Sequence, residues 1–465
     1  MNTRAKWIAM LWFMSGLAAC GGGGYGSGGG SGGNTTTMVS FTSPAAAVSI
    51  NLGQTLKLSW TSSYVSGCTA SVTPATGGTF AGTVAASGST TVAPTAVGTY
   101  TYALNCASSS AYGSPGMASS ATVTVNPSIL STLATMTTIG STLDPIENGG
   151  NPYGLAIAPA TAGLITQGDL VVCNFNDGAT NTQGLGTTII GLHPTAGSTP
   201  YRIAQSSSLQ GCSALAMLPD DSIGASAFSA NLLPLVTSAG VVTSPFATDT
   251  FTGPWSQTYA ASTAQSPALY VSSQANGSIG RISLSGDTQT GYVEIAKGFC
   301  GTGAPGGVFA PAGLTYDPAI DALYIVDTSS YSVVAISNVS TVGTDGILVN
   351  GSCGGPTPTP ALTFSGPSAS LAKVIASGGQ LNAPISAALL KDGNLIVSNG
   401  DIDGPATTNL LFEVSPAIGI VGSPVQLDTG APGALFGLAA TVDASGNQII
   451  YFNDDNDNTV KMLSK

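Results

Sequence analysis

The chain has 465 residues, of which only 7% are charged against roughly a quarter in an ordinary soluble domain, while 62 are glycine and 43% are hydrophobic. That length suffices for two or three hydrophobic cores, and the single histidine, His193, excludes any mechanism needing two imidazoles, His-rich zinc sites included. Ten basic residues against 22 acidic ones also exclude the basic footprint of a nucleic-acid-binding protein.

Arg4 and Lys6 precede an uncharged, mostly apolar run from Trp7 to Ala19, and at thirteen residues it is shorter than the roughly 20 a membrane-spanning helix needs. It reads as a secretory signal over residues 1–19. The run ends in Leu17-Ala18-Ala19-Cys20, which resembles the lipobox of bacterial lipoproteins. That resemblance implies cleavage before Cys20 and acylation of Cys20 by more than one chain, a stable membrane anchor. Gly21 follows the cysteine where an aspartate would signal retention, so the resemblance implies a cell-envelope protein on the outer membrane, facing periplasm or exterior. From Gly21 to Gly33 nearly every residue is Gly or Ser, so residues 20–37 form a flexible tether.

Charge divides the remainder of the chain into two parts. Residues 21–143 carry one charged side chain, Lys57, whereas residues 144–465 hold seven bases and all 22 acids, a net charge of −15. Neither part repeats apolar residues at helical spacing; short Val-, Thr-, Ile-, Leu- and Tyr-rich runs alternate with Gly, Pro, Ser, Asn and Asp. The fold class is all-β. Over residues 38–127, Leu56, Leu58 and Trp60 alternate with polar neighbours, as do Tyr100, Tyr102 and Leu104. With Cys68, Cys106 and the closing run Ala121 to Val125, this segment resembles the Ig-like β-sandwich modules of bacterial surface proteins, which serve mostly as spacers. Trp60 precedes the first cysteine, so the antibody arrangement of disulfide and tryptophan does not carry over.

Residues 128–465 are internally repetitive. Pro311 to Asp317, Ala322 to Asp327 and Ser332 to Ile336 are three short strands with turns between them. The same order recurs at Pro152 with Asp169, Cys212 with Ser222, Gly253 with Ala268, Ala383 with Asn394, and Leu435 with Ile449. Six units over 322 residues average about 54 each, close to one propeller blade with loop insertions. The run Ala322 to Asp327 resembles the NHL repeat and the gluconolactonase-like six-bladed β-propellers. Asp327 is followed by Thr-Ser-Ser-Tyr-Ser and not by the repeat's asparagine pair and arginine, so properties of that turn do not transfer. Ring closure is expected from Leu130 to Ile139 pairing beside Asn458 to Leu463.

Acylation of Cys20 leaves six of seven cysteines in an oxidising compartment. Fifteen pairings are open, and nearest partners within each domain are Cys68 with Cys106, Cys173 with Cys212, and Cys300 with Cys353. Aligning the second strands places Asn174, Ala227, Ser273, Asp327, Asn399 and Asp454 in one column. In gluconolactonase-like enzymes a glutamate with several Asn and Asp residues holds a divalent cation near the channel; the resemblance makes Glu147 with Asn174, Asp327, Asn399 and Asp454 the calcium candidates. The local clusters Asp401 with Asp403, and Asp454, Asp455 and Asp457, could also wrap calcium. The plainer reading has all these side chains cap turns. Trp255 is assigned to core packing and His193 to a strand end without a chemical role. Three glutamates outside any motif give no support for glycoside cleavage.

These features describe a lipoprotein that presents a propeller to bind a protein, glycan or small molecule, with no catalytic or cofactor-binding residue assigned. The alternatives are a calcium-dependent lactonase or hydrolase of the gluconolactonase-like type and a structural envelope component. Cells fed radiolabelled palmitate should incorporate label into the chain, and Cys20→Ser should abolish incorporation; label retained in that variant refutes the lipobox assignment.

Overall fold

The computed structural model describes residues 38–109, 117–243, 246, 251–263, 266–302, 310–353, 362–400 and 409–465. The signal, Cys20 and the tether lie outside the described residues, as do Asp401 and Asp403. The described chain is all-β, broken only by short 3-10 turns, and none of its helices is long and apolar enough to cross a membrane.

Two sheets form the first unit. Met38–Ser43, Leu56–Ser63 and Gly88–Val92 make one; Val48–Asn51, Met117–Asn126, Gly98–Ser108, Val65–Thr73 and Gly82–Val84 make the other, in that spatial order. Period-two alternation puts Tyr100, Tyr102, Leu104 and Cys106 on one buried face, opposite Phe41, Leu58, Trp60 and Val92. Phe80 fills the middle, edge-on to both Trp60 and Tyr102. The polar tips are satisfied: Trp60 Nε1 donates to Ala85 O at 3.0 Å and the Tyr102 hydroxyl to Gly77 O at 2.6 Å. Cys68 and Cys106 face each other on adjacent strands of one sheet, so their disulfide staples a sheet and does not bridge the two layers.

The rest of the described chain forms a β-propeller of six separate sheets, antiparallel except where one strand joins the edge of blade 3. Blade 1 comprises Gly150–Ile157, Leu170–Asn176, Thr188–Leu192 and Tyr201–Gln205; blade 2 comprises Cys212–Met217, Ile223–Ala227 and the short Leu235–Val236. Blade 3 begins with Pro254–Ala260, Ala268–Ser273, Ser278–Ser285 and Thr288–Lys297. Blade 4 is Pro311–Asp317, Ala322–Asp327, Ser332–Ser337 and Ala372–Ser377, and blade 5 is Pro384–Leu389, Leu395–Asn399, Leu410–Ser415 and Gly419–Gln426. Blade 6 takes Leu438–Val442, Gln448–Asp454 and Thr459–Ser464 from the end of the chain and Thr135–Ser141 from the start. That strand is the expected clasp, shifted towards the C-terminus, because Leu130–Thr132 forms a 3-10 turn instead. First strands touch in cyclic order, each blade covering its neighbour's face, so strands such as Ala322–Asp327 are buried along their whole length.

One departure from simple repetition was not legible. Between the third and fourth strands of blade 4 the chain crosses to blade 3, where Ile347–Asn350 joins the outer edge in parallel and Thr363–Ser365 pairs beside it. Cys300–Cys353 pins this excursion. Parallel edge pairing leaves no local pattern in sequence.

Specific bonds stitch blade to blade. Cys173–Cys212 joins blades 1 and 2. The Ser213 hydroxyl donates to Trp255 O at 2.7 Å, Leu314 N–H to Ser256 Oγ at 3.1 Å, and the Thr315 hydroxyl to Ala387 O at 2.7 Å. Ser398 donates to Leu435 O at 2.9 Å, and Asn453 Nδ2 closes the ring on Pro152 O at 3.1 Å and Gly154 O at 3.3 Å.

The sandwich is docked on blade 5. Asn51 Nδ2 donates to Asp392 Oδ2 at 3.1 Å, Gln54 Nε2 to Asp392 O at 3.0 Å, and the Ser415 hydroxyl to Gly53 O. Gly53 has φ +99°, and a Cβ there would lie 2.8 Å from Asn394 Nδ2, so only glycine fits this turn. Behind it, buried Glu413 accepts from Leu130 N–H and from Asn394 Nδ2, each at 2.7 Å. Burial pushes this carboxyl above the usual range, against those hydrogen bonds.

Asn453→Ala removes both closing bonds and strands two buried carbonyls. Equilibrium denaturation should show a loss of about 1–3 kcal/mol, and a loss below ~0.5 kcal/mol would refute the closing role.

Candidate functional site

The residue after the opening Pro, Cys or Leu of each blade reaches the ring axis: Tyr153, Ser213, Trp255, Ala312, Ile385 and Phe436. Most are apolar, and with Phe175 and Phe228 they close one mouth of the channel. Tyr153 is stacked between Phe436 and Phe175, with ring centroids 3.7 and 4.2 Å away, and Trp255 stands edge-on to Tyr153 at 5.7 Å. Trp255 is thus core packing, at the axis. The channel continuing from this plug has a volume of about 320 Å³, and no Asp, Glu, Lys, Arg or His is among its described lining residues. Its Ser256 and Thr315 hydroxyls are engaged in the stitching between blades.

The polar column lies at this mouth. Asn174, Ala227, Ser273, Asp327 and Asn399 pair in register with Pro152, Cys212, Pro254, Pro311 and Pro384. All are buried, and each polar member is hydrogen-bonded to neighbouring segments of the ring. Asn174 Nδ2 donates to Thr142 O at 3.0 Å and Thr188 Oγ1 at 3.2 Å; Asn399 accepts from Asn382 N–H and donates to Gln380 O, both at 3.0 Å. Asp327 accepts from Ser330 at 2.5 Å and Ser352 at 2.7 Å, tying blade 4 to the excursion, while burial raises its pKa. Asp454 and Asp457 share Lys461, whose Nζ is 2.5 and 2.8 Å from them. Burial raises the pKa of Asp454, and Lys461 counteracts it. Glu147 is half exposed, 3.8 Å from Arg202. Among the described residues, no three His, Cys, Asp or Glu side chains are grouped so as to hold a metal.

Asp455 belongs elsewhere. With Asn151, Asn176, Asn181, Gln183, Asn456 and Asn458 it lines a pocket of about 380 Å³ on the same mouth face, at the seam of blades 6 and 1. Asn151 and Asn176 are buried; the Asn151 carboxamide lies 3.1 Å from that of Asn176, and Asn176 Nδ2 is 3.1 Å from Asn181 Oδ1. Asn458 Oδ1 accepts from Asn151 N–H at 2.7 Å and so fixes the seam. Asn151 (φ +57°) and Asn458 (φ +53°) take the left-handed conformation that asparagine tolerates better than most residues. Sequence reasoning singled out Asn174, whereas the pocket uses Asn176, two residues on along the same strand. The residue type was the available signal; the missing information was that the run after Glu147 meets the run after Asp454.

His193 follows Thr188–Leu192, as expected of a strand end. It is not without a partner: Nδ1 is 2.6 Å from the buried Asp169 Oδ1, and the Tyr201 hydroxyl donates to Asp169 Oδ2 at 2.7 Å. Burial, reinforced by Asp169, pushes the Tyr201 phenol up.

No family profile matches the sequence, and no curated protein does. Solved structures with a similar course of chain include virginiamycin B lyase from Staphylococcus aureus, at 14% identity and a TM-score of 0.41, covering 71% of this chain and 99% of that one. A streptogramin B lyase, at 14% identity and 0.38, covers 71% and 97%. A candidate gluconolactonase, at 10% identity and 0.43, also covers 71% and 97%.

Asp144 sets the loop that carries Glu147. It accepts from the N–H groups of Ile146 and Glu147 and from Arg202, whose Nε is 2.8 Å from Oδ1 and whose Nη2 meets Oδ2. Burial works to raise its pKa, but these partners win and hold the carboxyl below the usual range. A lowered folded pKa contributes stability above the unfolded value of about 3.9 that is lost as pH falls through the folded value. Asp144→Ala should therefore cost about 3–5 kcal/mol at neutral pH, narrowing in acid below about pH 4. Urea titrations at pH 7 and pH 3 that give equal differences would contradict this.

Proposed function

We propose that this chain is a lipid-anchored envelope protein whose propeller binds a neutral polar ligand at its mouth without turning it over, with the sandwich as an Ig-like spacer. The observation that carries the reading is the seam pocket: six carboxamides and one carboxylate beside a channel mouth closed by apolar rings. A carboxamide both donates and accepts hydrogen bonds and does not titrate, so it matches hydroxyl groups but cannot serve as a general acid or base. The pocket holds no base for phosphate and no apolar wall for a lipid. The hydroxyl-rich end of a glycan fits this chemistry.

A second reading has its own observation. One atom of the Asn151 carboxamide is 3.0 Å from each Asp455 oxygen. With nitrogen there, the orientation that satisfies both groups, the amide donates to the carboxylate; a cation between them would turn the oxygen inward and make the two groups hard donors suited to calcium. That arrangement supports a calcium-dependent lactonase or hydrolase of the gluconolactonase-like type.

A glycan array probed with the mature chain, in EDTA and in calcium, separates the readings. Retention of neutral saccharides in EDTA, weakened at least tenfold by Asn151→Ala, is the expected result. Calcium-dependent turnover of a lactone panel, lost in Asp455→Asn, would move the assignment to the hydrolase. Neither retention nor turnover would leave a structural envelope component.

A further inference from the structure

The docking of the sandwich on blade 5 leaves a cleft of about 610 Å³ between the two units and blade 4. This is within the range of small-molecule sites, which favour domain interfaces. One wall is the sandwich turn at Gly53 to Thr55; the other is the blade 4 turn after Asp317 and the blade 5 segments around Leu389 and Pro416.

Most of the lining is apolar, with Pro318, Leu389, Leu390 and Pro416 along it and Ile320, 59% exposed, at the rim. The polar groups divide into engaged and available. Asp392 accepts from Asn51 Nδ2 at 3.1 Å and from Asn394 N–H at 3.1 Å, and Lys391 Nζ donates to Gly446 O at 2.5 Å. Asp317 is different: only 6% exposed, it gives Oδ1 to Ala319 N–H at 2.8 Å, which leaves Oδ2 for a ligand. Tyr324 also lines the cleft, is 1% exposed, and its hydroxyl has no hydrogen-bond partner among the described residues. A buried hydroxyl without a partner is uncommon in folded chains. Burial, and then the Asp317 charge, push this phenol up to about 12, so it stays protonated beside the carboxylate.

We infer that this cleft binds a small amphipathic amine, its apolar body against Pro318, Leu389 and Pro416 and its ammonium at Asp317, with Tyr324 lending a second polar contact. Charge selects the occupant: the lining carries Asp317 and Asp392 against the single base Lys391, whose ammonium is held by Gly446 O, and the ring as a whole is acidic. A carboxylate-ended lipid would meet like charge. This site is remote from the mouth and independent of what binds there.

Calorimetric titration of the mature chain with octylammonium, octanol and octanoate tests it. Octylammonium should bind about tenfold more tightly than octanol, and octanoate should not bind, as a charge-assisted pair predicts. Asp317→Asn keeps an acceptor for Ala319 N–H and should bring amine and alcohol to parity. Tyr324→Phe should weaken the amine about threefold, with the melting temperature of both variants within about 2 °C of the parent. Ala417→Trp, which fills the cleft, should abolish binding. Equal binding of all three probes, preference for octanoate, an amine preference that survives Asp317→Asn, or binding that survives Ala417→Trp overturns the inference.

Discussion

Each blade has two faces and can bury neither alone, so the ring must close, and its closure is chemical as well as geometric. Apolar packing between blades is non-directional and would tolerate sliding. The hydroxyl, amide and disulfide bonds from the first and second strands fix the register of every seam. Five seams use hydrogen bonds to a neighbour along the axis, and the seam of blades 1 and 2 uses a covalent bond. The clasp of Thr135–Ser141 on Thr459–Ser464 completes the circle at the outer edge, with Asn453 doing so at the axis.

That constraint explains the composition of the mouth. The residues that converge on the axis are stitching groups or lie within three positions of one, and there the chain places mostly apolar side chains, not acids. An apolar plug stiffens the mouth and removes the position where a converging charged cluster would stand. Polar chemistry is displaced sideways to the seam of blades 6 and 1, where the two chain ends meet and Asn458 holds Asn151. The seam pocket is therefore a consequence of closure.

The sandwich is not simply strung on a joint. Glu413, fully buried, gathers the linker at Leu130 and the blade 5 side chain Asn394, which in turn faces the Leu52 carbonyl at 3.4 Å. Burying a carboxyl with hydrogen-bond donors but no opposing cation is costly, and removing either partner would leave it uncompensated. The two units are thus held in one orientation, which is what creates the cleft between them.

Much of this was legible because it is local. Period-two alternation at Tyr100 to Cys106, six copies of a Pro-, Cys- or Leu-led strand followed by a second strand and a turn, and the even set of cysteines left by Cys20 pointed to the strands, the repeat number and the nearest disulfide partners. The column of Asn174, Asp327 and Asn399 was legible as a register and lies at one mouth, where Asp327 holds its own turn through Ser330 while Asn174 and Asn399 bond to residues 14 to 32 positions away. Invisible was everything that joins residues far apart in the chain without a repeating pattern: the passage of Ile347–Asn350 into blade 3, the meeting of Asn151 with Asp455, and the docking of Gly53 on Asn394. Sequence sets which side a residue faces, because strand geometry has a fixed period. Which faces meet is decided only when the ring closes, because closure depends on the summed packing of all six blades and no single segment encodes it.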